Sequence, residues 1–181
     1  MNRRILLVRH GEPHPRWRGV CYGRTDAGLG RRGFAQGRQA AERLASQPVT
    51  KLFTSDLRRA RHLADLIATG HSLEAVVEPA LRERDFGCWE ARSWDQIYAE
   101  TGSAMDGLIL DPECFRPPRG ETTADLVRRV LRWYRRLPPS GLVVAVSHAG
   151  PIAALRGSLL NLPARAWLAL IPSFGEIAEI P

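Results

Sequence analysis

Apolar residues recur along this chain with two periods. Continuous short runs rich in β-formers occupy 4–8, 51–54, 75–78, 142–147 and 176–180, the pattern of strands buried on both faces. Between them the spacing lengthens to the helical repeat of about 3.6. One helix is predicted over 31–46. A second is predicted from Ser55, in the N-cap position, to about Thr69, with Gly70 just past its end. Thr122 and Asp125 have capping-box spacing. The helix they open carries Leu126, Val127, Val130, Leu131, Tyr134 and Leu137 as an apolar stripe, and Arg128, Arg129, Arg132, Arg135 and Arg136 as a solvated face. A further helix begins near Pro151, a residue favoured in a first turn. This alternation predicts an α/β fold, a three-layer α/β/α sandwich with a mostly parallel central sheet. The segment 85–120 breaks the rhythm with Phe86, Trp89, Trp94 and the tandem Pro117-Pro118. It reads as a lid inserted over one end of the sheet, with a short helix near its Trp94.

Composition narrows the possibilities. The 181 residues are 44% hydrophobic and 25% charged, which suits one domain over 1–181. No apolar run approaches the roughly 18 residues of a membrane span, and the N-terminal run is too short for a signal peptide. No membrane association and a cytoplasmic location are therefore expected. Cys21, Cys88 and Cys114 are odd in number and form no CxxC pair, so neither zinc binding nor a disulfide framework is indicated. The formal charge is +7, and Lys51 is the one lysine among 26 cationic side chains. Guanidinium groups pair bidentately with phosphate oxygens, so the excess admits a phosphate ester or a nucleic acid as partner. No RNA-recognition aromatic motif, zinc-finger spacing or interleaved Arg/aromatic stripe supports an arginine-rich nucleic-acid-binding module. A small phosphate ester is the expected partner. The sequence gives no oligomeric state.

The chemistry is expected at the carboxyl ends of the strands, where open α/β sheets gather ligands. The first strand runs into Arg9-His10-Gly11-Glu12. The run at 142–147 runs into His148-Ala149-Gly150-Pro151. The run at 51–54 is followed by a helix with Arg58 and Arg59 in its first turn. Helix N-termini present unpaired N–H groups and a positive dipole end. Arg9, His10, Arg59 and His148 would together line a positive cup, which suits a phosphoryl group better than a carboxylate. Singly, each has a structural explanation: a hydrogen-bonded strand-end histidine, an exposed arginine pair, or, for Glu83, a salt bridge to Arg82 or Arg84.

Four ordered blocks carry a resemblance. "LLVRHGEP", "LFTSDLRRARHLA", "LRERDFGCWEA" and "VVAVSHAGPIAAL" are similar to the signature segments of the histidine phosphatase superfamily, the phosphoglycerate-mutase-like proteins. The resemblance implies that His10 is the nucleophile and forms a phosphohistidine. Arg9, Arg59 and His148 would hold the phosphoryl oxygens, with Gly11 and Ala149 beside them. Glu83 would protonate the leaving alkoxide and then take a proton from water. No metal or other cofactor is implied, and no cluster of ligand-type residues has metal-binding spacing. Four positions depart from the family pattern: Pro13 stands where Ser or Thr is usual, Ala91 and Ala149 where Gly is usual, and His62-Leu63 where Gln-Thr is frequent. None removes a proposed catalytic group.

Mutases of this superfamily are longer, so hydrolysis is expected, with a phosphoglycerate mutase or a broad-specificity sugar-phosphate phosphatase as alternatives. The segments "GVCYGRTDAGL" and "RPPRGETTADLVRRV" are similar to bacterial alpha-ribazole phosphatases. That similarity implies a role in cobalamin biosynthesis, and contacts from Arg24 and Glu121 to the substrate beyond its phosphate. Loop structure alone would also explain Arg24 and Glu121.

Overall fold

The structure, a computed structural model, describes residues 3–180. In chain order the elements are β1 (Arg3–Arg9), β2 (Val20–Cys21), α1 (Arg31–Leu44), β3 (Val49–Thr54), α2 (Arg58–His71), β4 (Ala75–Val77), β5 (Arg92–Ser93), α3 (Trp94–Thr101), α4 (Gly107–Leu110), α5 (Thr123–Arg135), β6 (Gly141–Ser147), α6 (Ala149–Leu159) and β7 (Ile177–Glu179). The main sheet has the order β4-β3-β6-β1-β7. All of its pairings are parallel except β1 with β7.

The continuous apolar runs follow from two-sided burial. Ile5, Leu7, Val143 and Ala145 pack with Leu126, Val130, Trp133, Ile152 and Leu155 of α5 and α6. The alternate residues Leu6, Val8, Val144 and Val146 pack with Ala40, Leu44, Leu63 and Ile67 of α1 and α2. Helices thus cover both faces, and the three expected layers are present.

Several local expectations change. Helix α2 starts at Arg58, with Leu57 rather than Ser55 in the cap position and no side-chain cap bond. The Ser55 hydroxyl is engaged elsewhere, as described below. The helix runs through Gly70 and ends at His71, where Ser72 takes the left-handed conformation at φ 51°. Helix α6 starts at Ala149, two residues before Pro151. In α5 the reciprocal capping box of Thr122 and Asp125 is formed. The buried stripe also includes Trp133, which the spacing argument passed over and which is 1% exposed. Arg129 does not belong to a solvated face. Its guanidinium donates to the carbonyls of Ala80 and Glu83 and to Glu121.

Residues 85–120 contain β5, α3 and α4, and β5 pairs antiparallel with β2 in a separate two-stranded sheet. Beneath lies a second small core of Cys21, Trp89 and Ile97, with Phe86, Trp94, Met105, Leu108 and Phe115 packed against it. Burial, then Glu90 and Glu83, push the Cys21 thiol up to about 12, so it stays protonated. No helix is long and apolar enough to cross a membrane, among the described residues.

Ala91, where the family pattern has glycine, sits at φ 64°. An L side chain in that region crowds its own carbonyl, at a cost of roughly 1–2 kcal/mol. We expect Ala91→Gly to raise stability by about 1 kcal/mol, as a higher urea midpoint at unchanged slope. A lower midpoint would show that the methyl packs well enough to offset the strain.

Candidate active site

Three strand ends lie side by side. Arg9 is in register with Ser147, and Thr54 with Val146. The His10 N–H donates to the Ser147 carbonyl at 3.1 Å, and the Ser55 N–H to the Val146 carbonyl at 3.2 Å. The residues just beyond β1, β3 and β6 therefore meet: His10, Ser55 and His148. The two imidazole centroids are 4.9 Å apart. His10, Arg59, Glu83 and His148 are all buried, and Arg9 is half-buried.

Each group is held by a different part of the chain. The His10 Nδ1 lies 2.7 Å from the Gly11 carbonyl oxygen. An oxygen of that kind only accepts, so Nδ1 carries the proton and Nε2 the free lone pair. The turn at Gly11 is fixed by close approach to α1. A Cβ on Gly11 would fall 2.1 Å from the Gly33 carbonyl oxygen, and one on Gly33 would fall 2.1 Å from that of Glu12. Arg9 donates to the Pro172 carbonyl at 2.9 Å and lies 3.8 Å above the Phe174 ring, a cation–π contact. Arg59 donates to the carbonyls of Thr25 at 2.8 Å and Gly23 at 2.6 Å. His148 Nε2 is 2.7 Å from Ser55 Oγ. Glu83 Oε1 accepts the N–H groups of Arg84 at 2.8 Å and Gly150 at 3.1 Å, the latter in the first turn of α6. The Ser147 hydroxyl, donating to the Leu81 carbonyl at 2.7 Å, ties that part of the chain to β6.

The electrostatics follow from burial. Desolvation first, and the Arg59 guanidinium second, hold His10 well below the usual imidazole range. His148 is lowered in the same way, with His10 as a further repulsive neighbour. Both rings are neutral at pH 7. Among the described residues, three of the eight buried side-chain nitrogens without a partner belong to this site: Arg9 Nε, Arg59 Nε and His148 Nδ1. Unpaired buried donors are costly, and here they belong to three of the groups around His10.

The structure thus brings together Arg9, His10, Arg59, Glu83 and His148. Arg24 and Glu121 are ion-paired within the protein. Arg24 binds Asp85 at 2.8 Å and Glu121 at 3.2 Å, and Glu121 also accepts from Arg129 at 2.7 Å. These contacts tie the lid to α5 and support the loop-structure explanation of both residues. Ala149 lines a cavity of about 460 Å³ beside Glu83. Sequence reasoning passed over Ser55, Phe174 and Tyr22, whose ring centroid lies 5.1 Å from Arg59 Cζ. No spacing rule links Ser55 to His148 across 93 positions. Among the described residues, no group of three or more His, Cys, Asp or Glu is arranged to hold a metal ion.

Known proteins share this arrangement of segments. The profile of the histidine phosphatase superfamily (branch 1) matches residues 5–179. A "Probable phosphoglycerate mutase GpmB" of Photorhabdus laumondii is 34% identical over 165 residues, 90% of this chain and 77% of that protein. The native structure of a mycobacterial glucosyl-3-phosphoglycerate phosphatase superposes with a TM-score of 0.86 at 29% identity, covering 99% of this chain and 90% of that one. The alpha-ribazole phosphatase of Shigella flexneri superposes with a TM-score of 0.86 at 27% identity, covering 98% and 90%. From its first strand to its last, the chain belongs to the histidine phosphatase superfamily, branch 1, and is an enzyme of that phosphatase class.

Proposed function

We propose that the protein hydrolyses phosphomonoesters of a small metabolite through a phosphohistidine at His10, without a metal. The observation that carries this reading is the His10 ring: Nδ1–H is committed to Gly11, and Nε2 is unprotonated amid the side chains of Arg9, Arg59 and His148. Nε2 attacks phosphorus in line, the P–N bond forms, and the P–O bond to the alcohol breaks. The equatorial oxygens, where charge spreads in the transition state, meet the arginines and the Nδ1–H of His148. Ser55 donates its hydroxyl proton to His148 Nε2, which leaves Nδ1 as the donor nitrogen. Glu83 Oε1 accepts N–H groups at 2.8 and 3.1 Å and Oε2 only the longer contact from Gly150 at 3.4 Å, so Oε2 is the freer oxygen and delivers a proton to the departing alkoxide. The same oxygen then takes a proton from the water that attacks the phosphohistidine. Orthophosphate leaves and His10 is restored. Two easier displacements replace one difficult one.

Alpha-ribazole 5'-phosphate is the first substrate to test, because the segments 19–29 and 116–130 are similar to those of alpha-ribazole phosphatases and such an enzyme is among the structural neighbours. A mutase reading is favoured by the names of the curated relatives. Phosphate release from an aryl phosphate without isomerisation of 3-phosphoglycerate separates the two.

Three outcomes are expected. Rapid quench with labelled ester traps an acid-labile phosphate on His10, and hydrolysis survives EDTA and disappears in His10→Ala. Strict dependence on added divalent metal would contradict the mechanism. Glu83→Gln slows alkyl phosphates by roughly 10²–10⁴-fold and p-nitrophenyl phosphate far less, because a good leaving group needs no proton; equal slowing removes Glu83 from the acid role.

The pH dependence has a definite sign. The folded-state imidazoles of His10 and His148 are lowered, so the unfolded chain binds protons first. The stability they contribute is complete above about pH 6.5 and is lost as pH falls below it. The ring NMR signals of both residues should not titrate between pH 7.5 and 5.5, while the urea midpoint declines over the lower part of that range. Titration of either ring near 6.5 would contradict the neutral-nucleophile picture.

A further inference from the structure

The cavity beside Glu83 is lined mostly by apolar and aromatic side chains. It holds about 460 Å³ and is lined at one end by Gly23, Glu83, Ala149 and Gly150, the residues that flank Arg59's loop and His148. Its walls come from widely separated parts of the chain. The lid contributes Phe86, Trp94, Met105 and Leu108, and the segment before β7 contributes Trp167 and Leu168. The charged side chains that line it are Glu83, Arg84 and Asp106. Arg84, the single cation among these described lining residues, already donates to the Thr123 hydroxyl at 2.8 Å. Leu168 remains 64% exposed at the mouth.

We propose that this cavity selects phosphate esters of apolar or aromatic alcohols and rejects those whose alcohol portion bears a carboxylate. The proposal rests on the phosphomonoesterase reading for the orientation of the ester, with phosphorus at His10 and the alcohol beside Glu83. Two physical terms drive the selection. An apolar alcohol displaces water from Trp94, Met105, Leu108 and Leu168, at a gain proportional to the area covered. A carboxylate in the same space loses hydration and shares the cavity with the Asp106 carboxylate, while the lining cation Arg84 already spends one N–H on the Thr123 hydroxyl. A cavity of this size lies within the range that encloses small organic ligands. The feature bears on the competing reading too, since phosphoglycerates carry the carboxylate that this cavity disfavours.

The test separates binding from turnover. Calorimetry with the intact protein compares ethyl-, butyl-, hexyl- and benzylphosphonate with a carboxyalkyl phosphonate of butyl length. The expected result is about a fourfold gain in affinity for each added methylene, tight binding of the benzyl compound, and weaker binding of the carboxylate than of butylphosphonate. Kinetics with phenyl, naphthyl and carboxyphenyl phosphates, whose leaving groups have similar acidity, should give the same order in kcat/KM. Leu168→Lys at the exposed mouth should narrow the gap between the butyl and carboxyalkyl compounds. A flat series, or preference for the carboxylate in either assay, overturns the proposal. If the phosphonates follow the expected order while no ester is hydrolysed and no phosphohistidine forms on His10, the cavity assignment stands and the catalytic reading falls.

Discussion

The site depends on burying cationic side chains where water cannot reach them. Arg59 is fully enclosed, its terminal nitrogens spent on the carbonyls of Gly23 and Thr25 and its Nε left without a partner. A guanidinium cannot escape that penalty by losing its proton. The neighbouring imidazoles can, and they do: His10 and His148 give up charge under burial and under the field of Arg59. Arg59 thus contributes to the positive field and, after burial itself, helps to keep the candidate nucleophile neutral within it. On the proposed reading, a multiply charged anion offsets that cost.

The lid is part of this machinery. Glu90 accepts the N–H groups of Arg24, Thr25 and Phe86 and the Thr25 hydroxyl. It thereby holds the loop whose carbonyls hold Arg59. Arg24, Asp85, Glu121 and Arg129 form a second tie between lid and α5. The strained residue Ala91 lies next to Glu90. One segment therefore supplies aromatic lining of the cavity and positions the central guanidinium, so a change in the lid also bears on the field at His10.

Much of this was legible in the sequence because it follows from local rules. Two-sided burial writes the continuous apolar runs of β1 and β6 in the middle of the sheet, while β4 and β7 lie at its edges and Val76 and Val77 of β4 are exposed. The ends of β1 and β6 were readable because charge and glycine follow an apolar run directly. Arg58 and Arg59 were conspicuous in the first turn of α2, where the dipole disfavours cations. What was not legible depends on distance in the chain. Ser55 looked like a helix cap because cap residues and side-chain hydrogen-bond partners are the same residue types. Its bond to His148 exists only because β3 and β6 are neighbours in the sheet. Arg24 and Glu121 could be read as substrate contacts or as loop structure, and nothing local shows that one charge will be matched by another 97 positions away. Arg129 was assigned to a wet face because helical period alone cannot reveal the carbonyls of Ala80 and Glu83 waiting across the interface.

The three unpartnered nitrogens around His10 have a thermodynamic consequence for the reaction's end. On the proposed reading, orthophosphate is the product that fits them, so the liberated ion stabilises the fold by mass action even as it occupies the catalytic centre. Resting enzyme in a phosphate-rich medium is then a product complex. Substrate must then compete with that ion for the site, so on this reading thermal robustness and catalytic throughput oppose each other as phosphate accumulates.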